Sequence, residues 1–248
     1  MNTLVCVKRV PETGARITLT ADEQEIDTSY LGFTISPHEE CAVEEALRIG
    51  GTTTVLTLGP PVAVEQLQNA LAMGIDSAIL LETDGADWNA EATAEAIVDA
   101  VREQAEPFDL LLFGNESADT GGYQVGVRVA YALGLPCVTG IKRLELRDGV
   151  AVAGREAGGG WEIFEVPMPA VVTVKEGINL PRYPSLPGRL RAKKAPIQTV
   201  AVTPRPSALE KIRLVVPQEE GRHAEILGTG PDAAPRVVET LRELGLVS

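Results

Sequence analysis

The sequence predicts an α/β fold, an open, mostly parallel, doubly wound sheet with an antiparallel extension and a C-terminal arm. Three observations carry that expectation. Five short, nearly continuous apolar runs have the composition of strands buried on both faces: "TLVCVKRV" (residues 3–10), "TTVLTLG" (53–59), "SAILLE" (77–82), "FDLLLFG" (108–114) and "PCVTG" (136–140). Segments of helical periodicity lie between them, at 37–49, 61–74, 89–104 and 123–134. After residue 140 the pattern changes to hairpins, with "DG" at 148–149 and a Gly-rich turn at 158–160 between alternating stretches. Strands that alternate with helices are joined by crossovers and run parallel, whereas hairpins join antiparallel strands.

The elements carry their own punctuation. Ser36 is placed as an N-cap with Pro37 at the first helical position, and Gly74 and Gly134 follow the last periodic residues of their helices. Residues 141–174 read as strand, Asp-Gly turn, strand, Gly-rich turn, strand, all within the antiparallel extension. From Lys175 periodicity disappears, and "KEGINLPRYPSLPGRLRAKKAPIQTV" is too irregular for an element. A long irregular stretch inside a compact domain is usually functional or ordered by a partner. "RVVETLRELGLVS" (236–248) restores a helical pattern whose apolar face must dock on its own core or on a second subunit. The expected organisation is an α/β domain over 1–200, carrying the irregular loop at about 175–197, and an arm with a helix over 201–248.

Composition removes several functions. A net charge of −13 opposes nucleic-acid binding, which needs a surplus of Lys and Arg; the acidic balance itself requires nothing beyond solubility. No apolar run reaches 18 residues, so no membrane insertion is expected. "MNTLVCVKRV" enters a strand pattern without a charged-then-apolar leader, which predicts a cytoplasmic location. Cys6, Cys41 and Cys137 are scattered at long spacings and read as buried small hydrophobes. His38 and His223 lack Cys or paired carboxylates at ligand spacing and read as solvated or structural, so no metal site is expected. There is no G-x-S-x-G, no Walker A pattern and no G-x-G-x-x-G after the first strand, hence no catalytic constellation.

What remains is a set of strand-end loops, at 6–9, 36–39, 58–60 and 115–126, that converge on the crevice outside the carboxyl ends of a parallel sheet. In "LLLFGNESADTGGYQVG" (110–126) an apolar strand empties into small and polar residues before a helix. The N–H groups of Gly121, Gly122, Tyr123 and Gln124 are placed to hold a phosphate, the helix dipole adding about 0.3–1 kcal/mol per favourable charge. The same glycines also suit a turn that merely connects strand to helix, and pattern alone leaves both readings open.

Several stretches together resemble the β subunit of electron transfer flavoproteins: "VCVKRVPET" (5–13), "SPHEECAVEEALRI" (36–49), "ALAMGIDSAILL" (70–81), "DLLLFGNESADTGGYQVG" (109–126), "MPAVVTV" (168–174) and above all "NLPRYPSLPGRLRAKKAPI" (179–197). The resemblance runs in order from residue 3 to about 200 and fades in the tail. It implies a Rossmann-like, adenine-nucleotide-binding sheet that forms a heterodimer with an α subunit carrying most of the redox FAD. It also implies a structural AMP in the strand-end crevice, with a shell of Cys6, Ser36, Pro37, His38, Glu39, Leu58, Asp119, Thr120, Gly121, Gly122, Tyr123, Gln124, Val125, Gly126, Val127, Arg128, Val129 and Ala130. Gln124, Val125 and Gly126 match the motif's Q-[TV]-G element and Asp119 its leading acidic residue. The irregular loop resembles a recognition loop for flavin dehydrogenases such as acyl-CoA dehydrogenases, with Ile178 at the anchor position beside Pro181, Arg182 and Tyr183.

The implied role is that of a non-catalytic carrier in fatty acid oxidation, passing electrons to a quinone oxidoreductase and so to the respiratory chain. Thr120, Gly121 and Gly122 replace the acidic run of conventional members. Electron-bifurcating members, which hold a second FAD where AMP otherwise sits and use NADH, carry a D-G-D-T-x-Q-V-G-P pattern, from which Val127 departs at the Pro position and the second Asp is missing. AMP is the expected ligand and a second FAD the alternative. A free-standing nucleotide-binding module of the stress-protein type is the other rival, and the basic loop and docking tail oppose it.

Overall fold

The computed structural model describes residues 1–12, 17–205, 211–217 and 225–247. His223 lies outside the described residues. The chain divides into two compact units, Met1–Ile212 and Arg213–Ser248.

In the first unit β1 (Asn2–Val7) is the central strand of a seven-stranded sheet. On one side of it lie β4 (Thr52–Gly59), β5 (Ser77–Glu82) and β12 (Ile197–Ala201); on the other lie β6 (Leu110–Gly114), β11 (Ala170–Val174) and β7 (Cys137–Ile141). Every pairing in this sheet is parallel. Two smaller antiparallel sheets accompany it: a ribbon of β2 (Val10–Pro11) with β3 (Phe33–Thr34), and a three-stranded sheet of β8 (Arg143–Arg147), β9 (Val150–Ala157) and β10 (Gly160–Pro167).

The central strands alternate between two buried clusters. Val5 and Val7 of β1 and Leu110 and Leu112 of β6 face α1 (Pro37–Ile49), α2 (Val64–Met73) and α5 (Leu186–Ala192). Leu4, Cys6, Leu111 and Phe113 face α3 (Ala90–Arg102) and α4 (Val125–Leu133). Burial on both faces is what makes these strands read as unbroken apolar runs. Each fully buried Leu or Val contributes about 1.5–3 kcal/mol of transfer free energy, which is why the sheet can organise loops that contribute little themselves.

Helix termini follow the local sequence. Ser36 caps α1 in a reciprocal capping box with Glu39, and Pro37 opens the helix. Gly74 and Gly134 end α2 and α4. The chain runs outward from β1 through β4 to β5, then crosses back to β6 on the far side. The strand order therefore reverses between β1 and β6, and a crevice opens at their carboxyl ends.

Two expectations are corrected. Residues 170–174 do not belong to the antiparallel extension: β11 inserts between β6 and β7 as a parallel strand, and its five residues are all buried, the environment that its "AVVTV" composition suits. The stretch after Lys175 does contain regular structure, namely α5 and β12. Both were masked by position. β12 is an edge strand in which only Ile197 and Val200 are half-buried and the other three residues are exposed, so it lacks the continuous apolar run of its neighbours. α5 carries Gly188 in its first turn because a Cβ there would collide with the Ala72 carbonyl oxygen of α2.

In the second unit a 3-10 turn, Pro231–Ala233, leads into α6 (Ala234–Glu243), none of whose residues is buried. Among the described residues no helix is long and apolar enough to cross a membrane.

Candidate functional site

At the crevice beyond β1 and β6 lies a cleft of about 300 Å³, lined by Ser36, Pro37 and His38 from the start of α1 and by Glu116, Ser117, Ala118, Asp119, Thr120 and Gly121 after β6. Polar contacts staple the two walls together. The Ser36 hydroxyl donates to the Glu116 carbonyl at 3.1 Å, and His38 Nε2 lies 3.2 Å from Glu116 Oε1. Lys8, immediately after β1, pairs with Asp119 at 2.6 Å. Its backbone N–H donates to Glu39 Oε1 at 2.9 Å, and the Ser36 N–H donates to Glu39 Oε2, also at 2.9 Å.

The two carboxylates on these contacts are driven in opposite directions. Burial pushes the Glu39 carboxyl up to about 8, the N–H bonds from Ser36 and Lys8 offsetting only part of the desolvation. Burial also acts upward on Asp119, but the Lys8 ammonium and the hydrogen bonds from Lys8, Ser117 and the Thr120 backbone bring it below the ordinary carboxylate range. Lys8 is thereby committed to Asp119.

The loop between Asp119 and α4 turns tightly. The Thr120 N–H donates to Asp119 Oδ1 at 2.7 Å, and the Ser117 and Thr120 hydroxyls are 2.9 Å apart. Gly121 and Tyr123 both have left-handed backbone, φ +53° and +57°, which for Tyr costs about 1 kcal/mol or more. The Tyr123 ring is more than half exposed, and its phenol is held above its usual range chiefly by a hydrogen bond to Glu116. The helical ladder of α4 starts with the Arg128 N–H on the Gln124 carbonyl at 2.9 Å, so the N–H groups of the first turn before it have no intrahelical acceptor. Gly126 seats this turn on the sheet: a Cβ there would lie 3.0 Å from Thr173 Cγ2 and 3.2 Å from Phe113 Cγ.

The fold thus brings Ser36, Pro37, His38, Asp119, Thr120 and Gly121 to one cleft, with Glu39 buttressing it. Gly122, Tyr123, Gln124, Val125 and Val127 follow at the loop and first turn of α4. Arg128 reaches Gln124 Oε1 at 3.2 Å and Glu91 at 4.0 Å. Cys6, Val129 and Ala130 are buried in the apolar cluster under α3 and α4, and Leu58 packs half-buried against it. Burial raises the Cys6 thiol far above its usual range. The strand-end loops 6–9 and 115–126 contain Lys8, Glu116 and Ser117, but sequence reasoning left these three out of the ligand shell.

The loop after β11 lies along α1. Ile178 is half-buried against the core of its own domain, whereas Leu180 is 85% exposed, Tyr183 94% and Leu186 72%. Pro181 is half-buried. Arg182 forms a two-pronged pair with Glu44 of α1, Nε to Oε2 at 2.8 Å and a terminal nitrogen to Oε1 at 3.0 Å.

A family model described as electron transfer flavoprotein domain matches residues 25–205. The chain is 37% identical over 204 residues to the electron transfer flavoprotein subunit beta of Bacillus subtilis, covering 80% of this chain and 78% of that one. It is 33% identical over 247 residues to the subunit of the same name from Syntrophomonas wolfei, covering 98% and 96%. The chain belongs to the electron transfer flavoprotein β-subunit family. A subunit of the same name from Mycobacterium tuberculosis is 33% identical over 210 residues, 81% of this chain and 79% of its own length. Within this electron transfer flavoprotein domain fall both walls of the cleft and the whole loop of residues 175–185, while β1 precedes the matched region and the second unit follows it.

Proposed function

We propose that this chain is a non-catalytic electron-carrier subunit that joins an α subunit to hold a redox FAD, binds AMP as a structural ligand in the cleft, and docks partner flavin dehydrogenases. The observation that carries the reading is the cleft itself, which sits where the strand order reverses and whose lining ends at Gly121, in the loop that leads into α4. Its volume of about 300 Å³ is at the small end of ligand pockets, which run from roughly 300 to 1,000 Å³, and so suits a mononucleotide better than a dinucleotide. Its side chains suit one as well. Glu116 and Asp119 are acceptors for ribose hydroxyls or an adenine amino group, and they repel phosphate. A phosphate belongs instead at the first turn of α4, where unpartnered N–H groups and the positive end of the helix dipole meet it.

When bound, FAD supplies the electron-transfer chemistry. The residues of this chain bind, orient and dock: α1 and the loop after β6 hold the nucleotide, and Leu180, Tyr183 and Leu186 offer apolar contact to a dehydrogenase while Ile178 seats the loop on its own domain. α6, with Val237 and Val238 exposed, packs on the α subunit. The test is to co-express the chain with an α subunit, denature the purified complex and quantify the released cofactors. One FAD and one AMP per heterodimer is the expected result. Two FAD and no AMP would replace this reading with a bifurcating complex that takes electrons from NADH.

A further inference from the structure

We infer that α1 is a strut that transmits occupancy of the nucleotide cleft to the docking loop, with His38 as its joint. The inference rests on the AMP reading above and adds a coupling to it. Pro37 and His38, at the start of α1, line the cleft. The same helix carries His38, Cys41, Glu44 and Glu45 at a spacing that places them along one side, and each of the four holds the loop. The Glu176 N–H donates to His38 Nδ1 at 2.7 Å. Asn179 Nδ2 donates to the Cys41 carbonyl at 2.9 Å and to Glu45 Oε2 at 2.8 Å. The Arg182 backbone N–H and guanidinium both bond Glu44. Every third residue of the loop is pinned.

Static packing alone does not call for two carboxylates at 4% and 7% exposure, because a buried carboxylate is costly unless compensated. Burial drives Glu44 upward, yet the Arg182 bonds outweigh it and hold the carboxyl below its ordinary range. In Glu45 burial wins over the Asn179 bond. Both acids meet the loop, Glu44 through Arg182 and Glu45 through Asn179, and Glu44 also bonds Arg48 one turn along its own helix.

His38 has one nitrogen on each side of the coupling. Nδ1 accepts from Glu176, so it carries no proton, and Nε2 faces the Glu116 carboxylate that lines the cleft. A ligand packed against His38 and Glu116 fixes the ring, and a fixed ring keeps the Glu176 bond. Without the ligand the ring turns more freely and the first pin of the loop is released. By linkage, a partner that holds the loop in this position tightens nucleotide binding by the same factor.

The test uses the co-expressed heterodimer, prepared free of nucleotide and then with AMP added to saturation, the bound AMP being counted by chromatography. Hydrogen–deuterium exchange is followed in peptides spanning residues 174–185. AMP is expected to slow exchange there by roughly two- to tenfold, the worth of one hydrogen bond. In His38→Phe, which keeps an aromatic ring but removes both nitrogens, the loop is expected to exchange at the faster rate with or without counted AMP. Unchanged loop exchange in the wild type at full AMP occupancy would overturn the coupling and leave the nucleotide reading intact, and that comparison needs no variant. An AMP response that survives His38→Phe overturns the role of His38. Failure of the wild type to take up AMP overturns both the coupling and the reading on which it rests.

Discussion

Gly126→Ala is the most direct perturbation of the link between sheet packing and the nucleotide cradle. Added at that position, a methyl group meets Thr173 Cγ2 of β11 at 3.0 Å and Phe113 of β6 at 3.2 and 3.3 Å. Both neighbours are buried, so α4 must lift by a few tenths of an ångström. Overpacking of this kind costs about 1–3 kcal/mol, while replacing a helical Gly by Ala returns about 1 kcal/mol. The net is a loss of about 1 kcal/mol, or roughly 2–4 °C in melting temperature for a unit of this size. Because the lifted turn carries the N–H groups assigned to the phosphate, AMP affinity falls roughly three- to tenfold, the worth of a weakened hydrogen bond to a charged group. Gly122→Ala is the control, with no atom within 4 Å of the added Cβ, and it should be neutral or gain a few tenths of a kcal/mol. Thermal unfolding and AMP retention of the heterodimer are measured for both. Equal melting temperature and equal AMP retention in the two variants would refute the claim that α4 is seated by this contact.

Other outcomes follow from the same geometry. Glu39 has its folded value raised to about 8, so the folded state binds a proton that the unfolded chain, near 4.5, releases. Its contribution to stability is full below about 4.5 and is lost as pH rises towards 8, with a slope of up to about 1.4 kcal/mol per pH unit for one proton; Glu39→Gln should flatten the melting temperature over pH 5–8, and parallel curves for the two proteins would contradict this. Glu44→Ala leaves Arg182 without its partner and should raise the KM of a partner dehydrogenase for the carrier several-fold more than it lowers kcat; an effect confined to kcat argues against a docking role. Leu186→Ala should weaken the same docking, read as a higher half-saturating carrier concentration, and an unchanged value removes Leu186 from the contact. Deletion of residues 236–248 should weaken association with the α subunit at least tenfold in sedimentation or titration measurements, and equal affinity means that α6 docks elsewhere.

The parallel sheet was legible because β1, β4, β5 and β6 are buried on both faces, which favours apolar residues on both, with buried threonines such as Thr3, Thr53 and Thr57 among them. β12 was not, since an edge strand satisfies only one neighbour and three of the five residues of "IQTVA" are exposed. β11 was read as a strand but placed in the wrong sheet, because composition reports burial and says nothing of which neighbour supplies it. At the cleft, Ser36, His38, Asp119 and Gly121 were readable from strand-end loops and helix caps, features local in sequence. The Lys8 to Asp119 pair and the Glu44 to Arg182 pair join residues more than a hundred positions apart, and no local pattern announces them. Cys6, Val129 and Ala130 show the converse: they adjoin the cleft in sequence, yet strand alternation and helical periodicity turn their side chains into the core.

The charge distribution explains how so acidic a protein can be expected to hold an anion. Lys8, the cation beside the cleft, is spent on Asp119 at 2.6 Å, so its charge is largely neutralised before a ligand arrives. What is left for a phosphate is the backbone of α4, whose N–H groups are donors without being charges and whose dipole is a partial one. On the proposed reading a site of that kind does not compete with the carboxylates at its other end, because the nucleotide's hydroxyl and amino donors would meet Glu116 and Asp119 and its phosphate oxygens would meet the helix. The loop at 121–123 makes the separation possible. Its two left-handed residues turn the chain from the acidic wall to the helix start within three positions. A ligand with donors at only one end, inorganic phosphate for example, would satisfy the helix and leave the acidic wall unmatched. Selectivity for a whole mononucleotide over its phosphate is therefore what the proposed reading expects of this arrangement.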